Sequence, residues 1–436
     1  MSDKYIYFIT DDTQNHKFKL LLDAVEEDLN GQLIVVSPGQ AKRNVWGYRQ
    51  VSLETDKKDT SRMILWSRFI YLFARIVNSQ HSRLFPKRNI YSGGRITRTV
   101  VKFLWFFKTR RVLRRVFPLY ESLFFFPFFM DKGRLKGDNR IFLYDALIFR
   151  NCALAKLVHQ VRKSDVEEYA LVTSWDNPFY GQLCTKSRGY ICWSVAMKND
   201  IEHVHDFSMA NRKLLYYGAF PFQKFQLTRR RKSLKTLSSP VVLGYACSFC
   251  DDVQMYEELE LLNTISEEIA KSGLEFQILL RGYPSIPRQK YLEADLHENI
   301  TLYHAKDTSY IDRFGDGRER IMFSTDEERH FYLAQCDFFL SLATSFSIEA
   351  AIDNVPIIHI YYPKWERQTK SENQVFTKID LSDHIRAYFE STLTTVSSPQ
   401  DLVNCLEKTI YIEEEYAKLQ KHNQTLLSRF GFDLLN

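Results

Sequence analysis

The residues best suited to chemistry lie between positions 341 and 360. Ser341-Leu-Ala-Thr-Ser-Phe-Ser-Ile-Glu-Ala-Ala351 closes a buried apolar run at Ser341 and opens a helical pattern near Ser345. A helix starting there presents backbone N–H groups and the hydroxyls of Thr344, Ser345 and Ser347 at the positive end of its dipole, an arrangement that holds anions. Glu349, one turn in, stands where it can accept hydrogen bonds from a ribose or sugar hydroxyl. The same residues also read as an ordinary Ser/Thr cap on a helix packed by Ile348, Ala350 and Ala351, and their position alone does not choose between the two. A second polar group, Ser174-Trp175-Asp176-Asn177, follows a strand-like run at Tyr169–Thr173. It falls on a loop at a sheet's carboxyl edge, where ligands bind in open α/β folds.

Two other motifs carry less. Cys247-Ser-Phe-Cys250 has no second CxxC and no close His pair to complete a tetrahedral zinc site, and it lacks the N-terminal βαβ context of a redox pair. His203-Val-His205 lacks a third ligand and reads as surface histidines. The sequence contains neither GxxxxGK[ST] nor GxGxxG, which argues against a P-loop nucleotidase or a dinucleotide dehydrogenase.

The elements that must position these residues alternate. Lys4–Thr10 predicts a strand, 18–29 a helix and Gln32–Ser37 a second strand, a β-α-β opening that implies a parallel sheet. Further strands are predicted at Ile141–Tyr144, Tyr169–Thr173, Tyr190–Trp193 and Lys213–Tyr217, with helices at 147–163 and from 195. Gln226–Ser239 is polar, basic and aperiodic, a linker that Pro240 ends. A second alternation follows: strands at Val241–Ala246, Glu275–Leu280, Ile300–Tyr303, Asp337–Ser341 and Val355–Ile360. Its helices are 254–271, one from 288, 326–335 and one from Ser345. A helical pattern from Gln400 to about Ser428 closes the chain. The expected fold is α/β with two Rossmann-like domains, 1–225 and 241–400, joined by the linker 226–240 and followed by a C-terminal helix in 401–436.

With 436 residues, 45% of them hydrophobic and 26% charged, the chain is long and apolar enough for such cores and too apolar for disorder. Seven scattered Cys argue for a reducing compartment, and the N-terminus lacks the pattern of a signal peptide. These point to the cytoplasm. The charge is uneven. Between Ser61 and Lys136 stand 17 Lys/Arg, two acids and 17 aromatic residues, while the whole chain is only +6. Within this stretch, Val101–Phe117 places Arg110, Arg111, Arg114 and Arg115 beside an apolar helical face, and Leu123–Met130 is apolar on all sides. The expectation is a helical basic, aromatic insertion in the N-terminal domain that meets an anionic membrane surface. A helical subdomain with core aromatics is the plainer alternative, and nucleic acid the least favoured.

Five segments carry a resemblance. Thr344–Ile360 (TSFSIEAAIDNVPIIHI) resembles the "STSSIEAALxGxPVI" segment of GT-B glycosyltransferases of the bacterial surface-polysaccharide type, related to CDP-glycerol glycerophosphotransferases, polysialyltransferases and Kdo transferases. Asn354 stands where that pattern has Gly. Leu171–Pro178 (LVTSWDNP) is similar to their "TSWDNxTxKG", Ile191–Asp200 (ICWSVAMKND) to "VWSEAMKxE", and Leu215–Phe222 (LYYGAFPF) to "VVVTGAPxFD". Leu280–Pro284 (LRGYP) stands where the family has "RPHP", with Gly282 and Tyr283 in place of Pro and His. The resemblance covers about 141–222 and 241–360; the basic region matches none of it.

The resemblance implies a GT-B architecture with a cleft between the halves, and transfer of a sugar from a nucleotide-sugar donor to a glycan or lipid-linked acceptor. This would serve surface polysaccharide synthesis (lipopolysaccharide or capsule) by a peripheral enzyme at the cytoplasmic face of the inner membrane. With it, the donor is expected on Arg281, Thr344, Ser345 and Ser347, with Glu349 one turn into the helix and Ser248 on the loop after the second half's first strand also in reach, and the acceptor near Ser174, Trp175 and Asn177. A base must deprotonate the acceptor. Asp176 is the first choice because it lies within a matched segment, with Asp145 and Asp11 as alternatives. No cofactor or metal is expected to be required beyond the donor itself, Mg²⁺ staying open. The rival readings are a CDP-alditol phosphotransferase, a sugar-nucleotide 2-epimerase and a non-catalytic glycan-binding subunit.

Overall fold

The computed structural model describes residues 4–10, 17–38, 47–53, 139–146, 167–175, 183, 187–205, 208–228, 239–248, 252–283, 286–303, 325–342, 344–360 and 393–434. The chain divides into two compact units, Met1–Gln223 with Arg429–Asn436, and Lys224–Ser428. The basic aromatic region 61–136, the predicted helix 147–163 and most of the linker lie outside the described residues.

The first unit is built on β1 (Tyr5–Ile9), α1 (Lys17–Asp28), β2 (Gln32–Pro38), β3 (Arg49–Leu53), β4 (Arg140–Asp145), β5 (Glu167–Leu171), β6 (Gly189–Cys192), α2 (Val195–His205) and β7 (Lys213–Tyr216). Its seven strands run in the order β3-β2-β1-β4-β5-β6-β7, every pair parallel. Strands buried on both faces need continuous apolar runs; Ile6–Ile9 and Ile141–Tyr144 supply them and are all buried. The α1 helix forms because Phe18, Leu21, Leu22 and Val25 repeat at helical spacing, and all four are buried.

The second unit begins within α3 (Gln223–Leu227), and the expected linker from 226 also starts inside that helix. It continues with β8 (Val241–Ala246), α4 (Asp252–Lys271), β9 (Phe276–Arg281), α5 (Arg288–Leu292), β10 (Ile300–Leu302), α6 (Asp326–Gln335), β11 (Phe338–Ser341), α7 (Phe346–Ile352), β12 (Ile357–Ile360) and β13 (Thr394–Val396). These six strands, also all parallel, run β10-β9-β8-β11-β12-β13. Met255, Leu259, Leu262 and Ile269 of α4 enter one core with Leu243, Ile278 and Leu340. The C-terminal helical pattern is realised as two helices, α8 (Pro399–Tyr411) and α9 (Glu413–Arg429), separated at Ile412. Ser398 caps α8 by accepting from the Asp401 N–H at 3.1 Å.

Both sheets therefore have the doubly wound order. It reverses between β1 and β4 in the first unit and between β8 and β11 in the second. At such a point the loops leaving two neighbouring strands diverge to opposite faces, opening a crevice at the carboxyl ends. Asn354 turns α7 into β12 with φ +59°, the left-handed region that favours Gly. This explains both the Gly of the resembled pattern and why Asn, which tolerates that region, can replace it. Gln420 and Asn423 of α9 hold the same turn through the Asn354 and Val355 carbonyls at 3.4 and 2.7 Å.

Candidate functional site

At the second unit's reversal, three strand ends carry polar groups outward. Past β8, the Ser248 N–H donates to Glu258 of α4 at 2.8 Å, and the same carboxylate oxygen accepts from the Tyr245 hydroxyl at 2.8 Å. Glu258 is fully buried, so a carboxylate inside the unit fixes the course of this loop. The Ser248 hydroxyl is itself buried with no hydrogen-bond partner among the described residues. Cys247, beside it, is buried, and its thiol is pushed well above its ordinary range by burial and by Glu258. A thiol so held is a poor nucleophile and metal ligand. Its CxxC partner, Cys250, lies outside the described residues.

Past β9, Arg281 is 7% exposed. Its guanidinium carbon lies 4.9 Å from the centre of the Phe346 ring, and one of its nitrogens 3.6 Å from Glu328 of α6. Gly282 follows because the Tyr291 ring lies against it: a Cβ there would come within 2.8 Å of that ring. The Tyr291 hydroxyl in turn accepts from the Tyr283 N–H at 2.8 Å. Gly282 and Tyr283, the departures from the resembled pattern, thus form a turn seated on Tyr291.

Past β11, the Ser341 and Ser347 hydroxyls lie 2.5 Å apart, both buried. Thr344 accepts the Phe346 N–H on its hydroxyl at 3.3 Å and the Ser347 N–H on its carbonyl at 3.0 Å. Ser345, at the start of α7, makes no side-chain cap and is exposed. Of the three hydroxyls expected to face an anion, Ser347 is thus turned inward, Thr344 closes the local turn and Ser345 faces solvent. Glu349 is buried and accepts a short hydrogen bond from Arg329.

The sequence reading did not single out α6 as part of this group. Thr325 caps it, accepting from the Glu328 N–H at 3.2 Å. Four successive charged residues follow. Arg329 bonds both Asp326 and Glu349, Glu328 faces Arg281, and the next residue, His330, places Nδ1 2.7 Å from Asp353. Burial raises the Glu328 pKa despite Arg281 and Arg329. The signal available was a dense charge run, Asp326–Arg329, set directly before buried residues. Among the described residues no group of three or more His, Cys, Asp or Glu is gathered as for a metal ion.

The first unit's reversal is different. Asp145 ends β4 and accepts from the Thr173 hydroxyl at 3.3 Å, Thr173 lying beyond the end of β5 rather than within the strand as predicted. Ser174 is half-buried. Trp175 is 6% exposed with its ring 6.0 Å from Phe430. The resembled Trp193-Ser194 pair is structural: the Trp193 indole donates to the Val172 carbonyl at 3.0 Å, and the Ser194 hydroxyl to the Arg429 carbonyl at 2.7 Å. Phe220, Phe222 and Phe430 meet the Trp193 ring edge-on at 6.0 to 6.1 Å. Asp11, Asp176 and Asn177 lie outside the described residues, and so do the side chains of His203 and His205. Among the described residues no helix is long and apolar enough to cross a membrane.

No protein-family model matches the chain, and no curated protein matches it. Solved structures similar to it include HepE from Anabaena in complex with UDP and glucose, at 9% identity and TM-score 0.42, covering 97% of this chain and 94% of that one. Another is MnaA of S. aureus with UDP, at 12% identity and TM-score 0.46, covering 96% and 91%. A third is CalG4, the calicheamicin glycosyltransferase, at 11% identity and TM-score 0.41, covering 99% and 96%. On its own strand order, with two all-parallel sheets each doubly wound about a central reversal, the chain is an α/β protein of two Rossmann-like units, the fold class its sequence implies.

Proposed function

We propose that the chain is a glycosyltransferase of the GT-B type. It takes a sugar from a nucleotide-sugar donor held at the carboxyl edge of β8, β9 and β11 and passes it to a glycan or lipid-linked acceptor. One observation carries this reading: a buried arginine, Arg281, ends β9 one strand from the reversal of the second sheet, in the row of strand ends that also carries the Ser248 loop and the Thr344–Ser347 turn. A guanidinium in a poorly hydrated site is suited to a diphosphate, both in the bound donor and as charge builds on the leaving group. The resemblance of Thr344–Ile360 to a donor-phosphate segment supports the same assignment.

In this reading Arg281 meets the phosphates. Ser345 and Thr344 offer hydroxyl and backbone groups beside them, Ser347 braces the turn from inside, and Ser248 approaches from the β8 loop. Glu349 receives the ribose. Asp176 takes the acceptor proton, Asp145 and Asp11 being the alternatives, while Ser174, Trp175 and Asn177 form the acceptor side. The arginine and the backbone dipoles supply the charge stabilisation that a metal gives elsewhere. The basic region 61–136 holds the enzyme on the anionic inner face of the cytoplasmic membrane, where surface polysaccharide is made.

The test is a thermal-shift panel of UDP, GDP, CDP, CMP and dTDP, their sugars and CDP-glycerol, with and without Mg²⁺. A ligand at 100 times its dissociation constant adds about 2.7 kcal/mol of stability, an easily read shift. One nucleotide family is expected to stabilise the chain, and Ser345→Ala to weaken that effect. A response confined to CDP-glycerol replaces sugar transfer with alditol-phosphate transfer, and silence across the panel contradicts the donor site. Sedimentation with anionic vesicles tests the membrane role: replacing Arg110, Arg111, Arg114 and Arg115 with Glu is expected to release the protein.

A further inference from the structure

Arg281 is already committed to a counter-ion before any donor arrives. Glu328 lies 3.6 Å from it, a contact longer than a hydrogen bond. The side chains of Arg281 and Glu328 are only 8% and 15% exposed. The Glu328 oxygen nearest the guanidinium has no hydrogen-bond partner among the described residues. Among the described residues the other charged group facing Glu328 is Arg329 on its own helix, and that guanidinium is bound by Asp326 and by Glu349 of α7. His330, further along α6, is directed at Asp353, and the Thr325 hydroxyl takes the Glu328 N–H. From β9 comes Arg281 alone, with Phe346 of α7 covering its ring-facing side. Glu328 therefore draws on Arg281 to stay ionised, with little water to help and its nearer oxygen without a hydrogen-bond partner among the described residues.

We propose that Glu328 is a positioning residue that holds Arg281 in place when the site is empty and takes up a proton when a donor diphosphate claims the guanidinium. This rests on the reading of Arg281 as the phosphate-binding cation. The reason is electrostatic. A diphosphate on Arg281 brings a second anion to a cation that one poorly hydrated carboxylate already uses, and like charges around a single partner push a carboxyl toward its neutral form. Burial has already moved Glu328 in that direction. The proton comes from solvent and adds to the carboxylate to give the neutral acid. The guanidinium keeps its charge and transfers its contact from carboxylate to phosphate. No other bond changes.

The experiment is titration calorimetry of the full chain with the nucleoside diphosphate that stabilises it, between about pH 5 and 8, in buffers of different ionisation enthalpy. The expected result is net proton uptake on binding, with affinity falling by up to tenfold per pH unit as pH rises through the range where the free carboxylate is charged. Glu328→Gln, nearly the same shape without the charge, is expected to bind more tightly than the wild type at the alkaline end and to lose the uptake. The diphosphate's own titration is common to both proteins and cancels in the comparison. Binding with no proton taken up by the wild type overturns the proposal whether or not the variant folds. Equal pH profiles for wild type and Glu328→Gln do so too. If no nucleotide binds, the donor-site reading falls and this inference with it; binding without a proton removes this inference alone.

Discussion

The two sheets have the same topology and opposite chemistry at their reversals. In the second unit the strand ends present a buried arginine faced by carboxylates and hydroxyls: Arg281, Glu328, Arg329, Glu349, Ser347 and Ser341. In the first unit the described strand ends present Asp145, Thr173 and Ser174, with Trp175, Trp193 and Phe430 packed beneath. The fold opens a crevice in each case, but among the described residues only the second carries a fixed cation that an anionic ligand can use. Topology supplies the place, and the side chains at the strand ends decide what it holds. In the proposed function it is the first edge, with its hydroxyls and carboxylate, that would receive the uncharged acceptor.

That contrast can be broken or sharpened by substitution. The largest effect is expected from the proposed base. Asp176→Asn should lower kcat by roughly 10²–10⁴-fold and leave nucleotide affinity unchanged, as measured by steady-state transfer beside calorimetry. If Asp145→Asn gives that result instead, the base moves to β4 while the division of labour stands. If either variant abolishes nucleotide binding, the contrast fails.

Next is a pH effect confined to the second unit. Burial holds His359 down at about 4, its Nδ1 lying 3.0 Å from the Ser341 carbonyl. The folded value is depressed, so as pH falls below about 6.5 the unfolded chain takes the proton first. Stability should decline from there to about pH 4 and stay level below it, a loss of about 3 kcal/mol from this residue. Urea melts across that range check it, and His359→Gln should flatten the decline.

Arg281→Ala is expected to weaken nucleoside diphosphate binding by roughly 10–100-fold, the worth of one or two charge-assisted hydrogen bonds. An unaltered affinity would detach the ligand from the second unit's edge. The smallest effect is on stability alone. Gly431 sits at φ +79° with a Cβ position that runs into the Trp193 carbonyl. Gly431→Ala should cost about 1–3 kcal/mol and lower the melting midpoint by several degrees, with nucleotide affinity intact.

Much of this architecture was legible in the residues. The inner strands announce themselves because strands buried on both faces must be apolar throughout, as Val241–Ala246 is. Helix α6 spans the residues predicted for it, 326–335. Two of the four edge strands were not visible. Arg49–Leu53 and Thr394–Val396 each pair on one side only, so polar residues are tolerated and no pattern marks them. In the site, Arg281 and the Ser/Thr segment could be read as strand-end groups. The inward turn of Ser347 could not, since it depends on Ser341 lying opposite. Nor could the Glu328–Arg281 pair, which joins residues from β9 and α6 that no local spacing relates.

A nucleotide is expected on the second unit's edge and not on the first's. Amide hydrogen exchange of the full chain, with and without the nucleotide that stabilises it, tests this most directly. Slowed exchange is expected at 246–248, 281–283 and 344–348, with 145–146 and 172–175 unchanged. Protection of 145–146 and 172–175, with the β8, β9 and β11 ends unaffected, would contradict it.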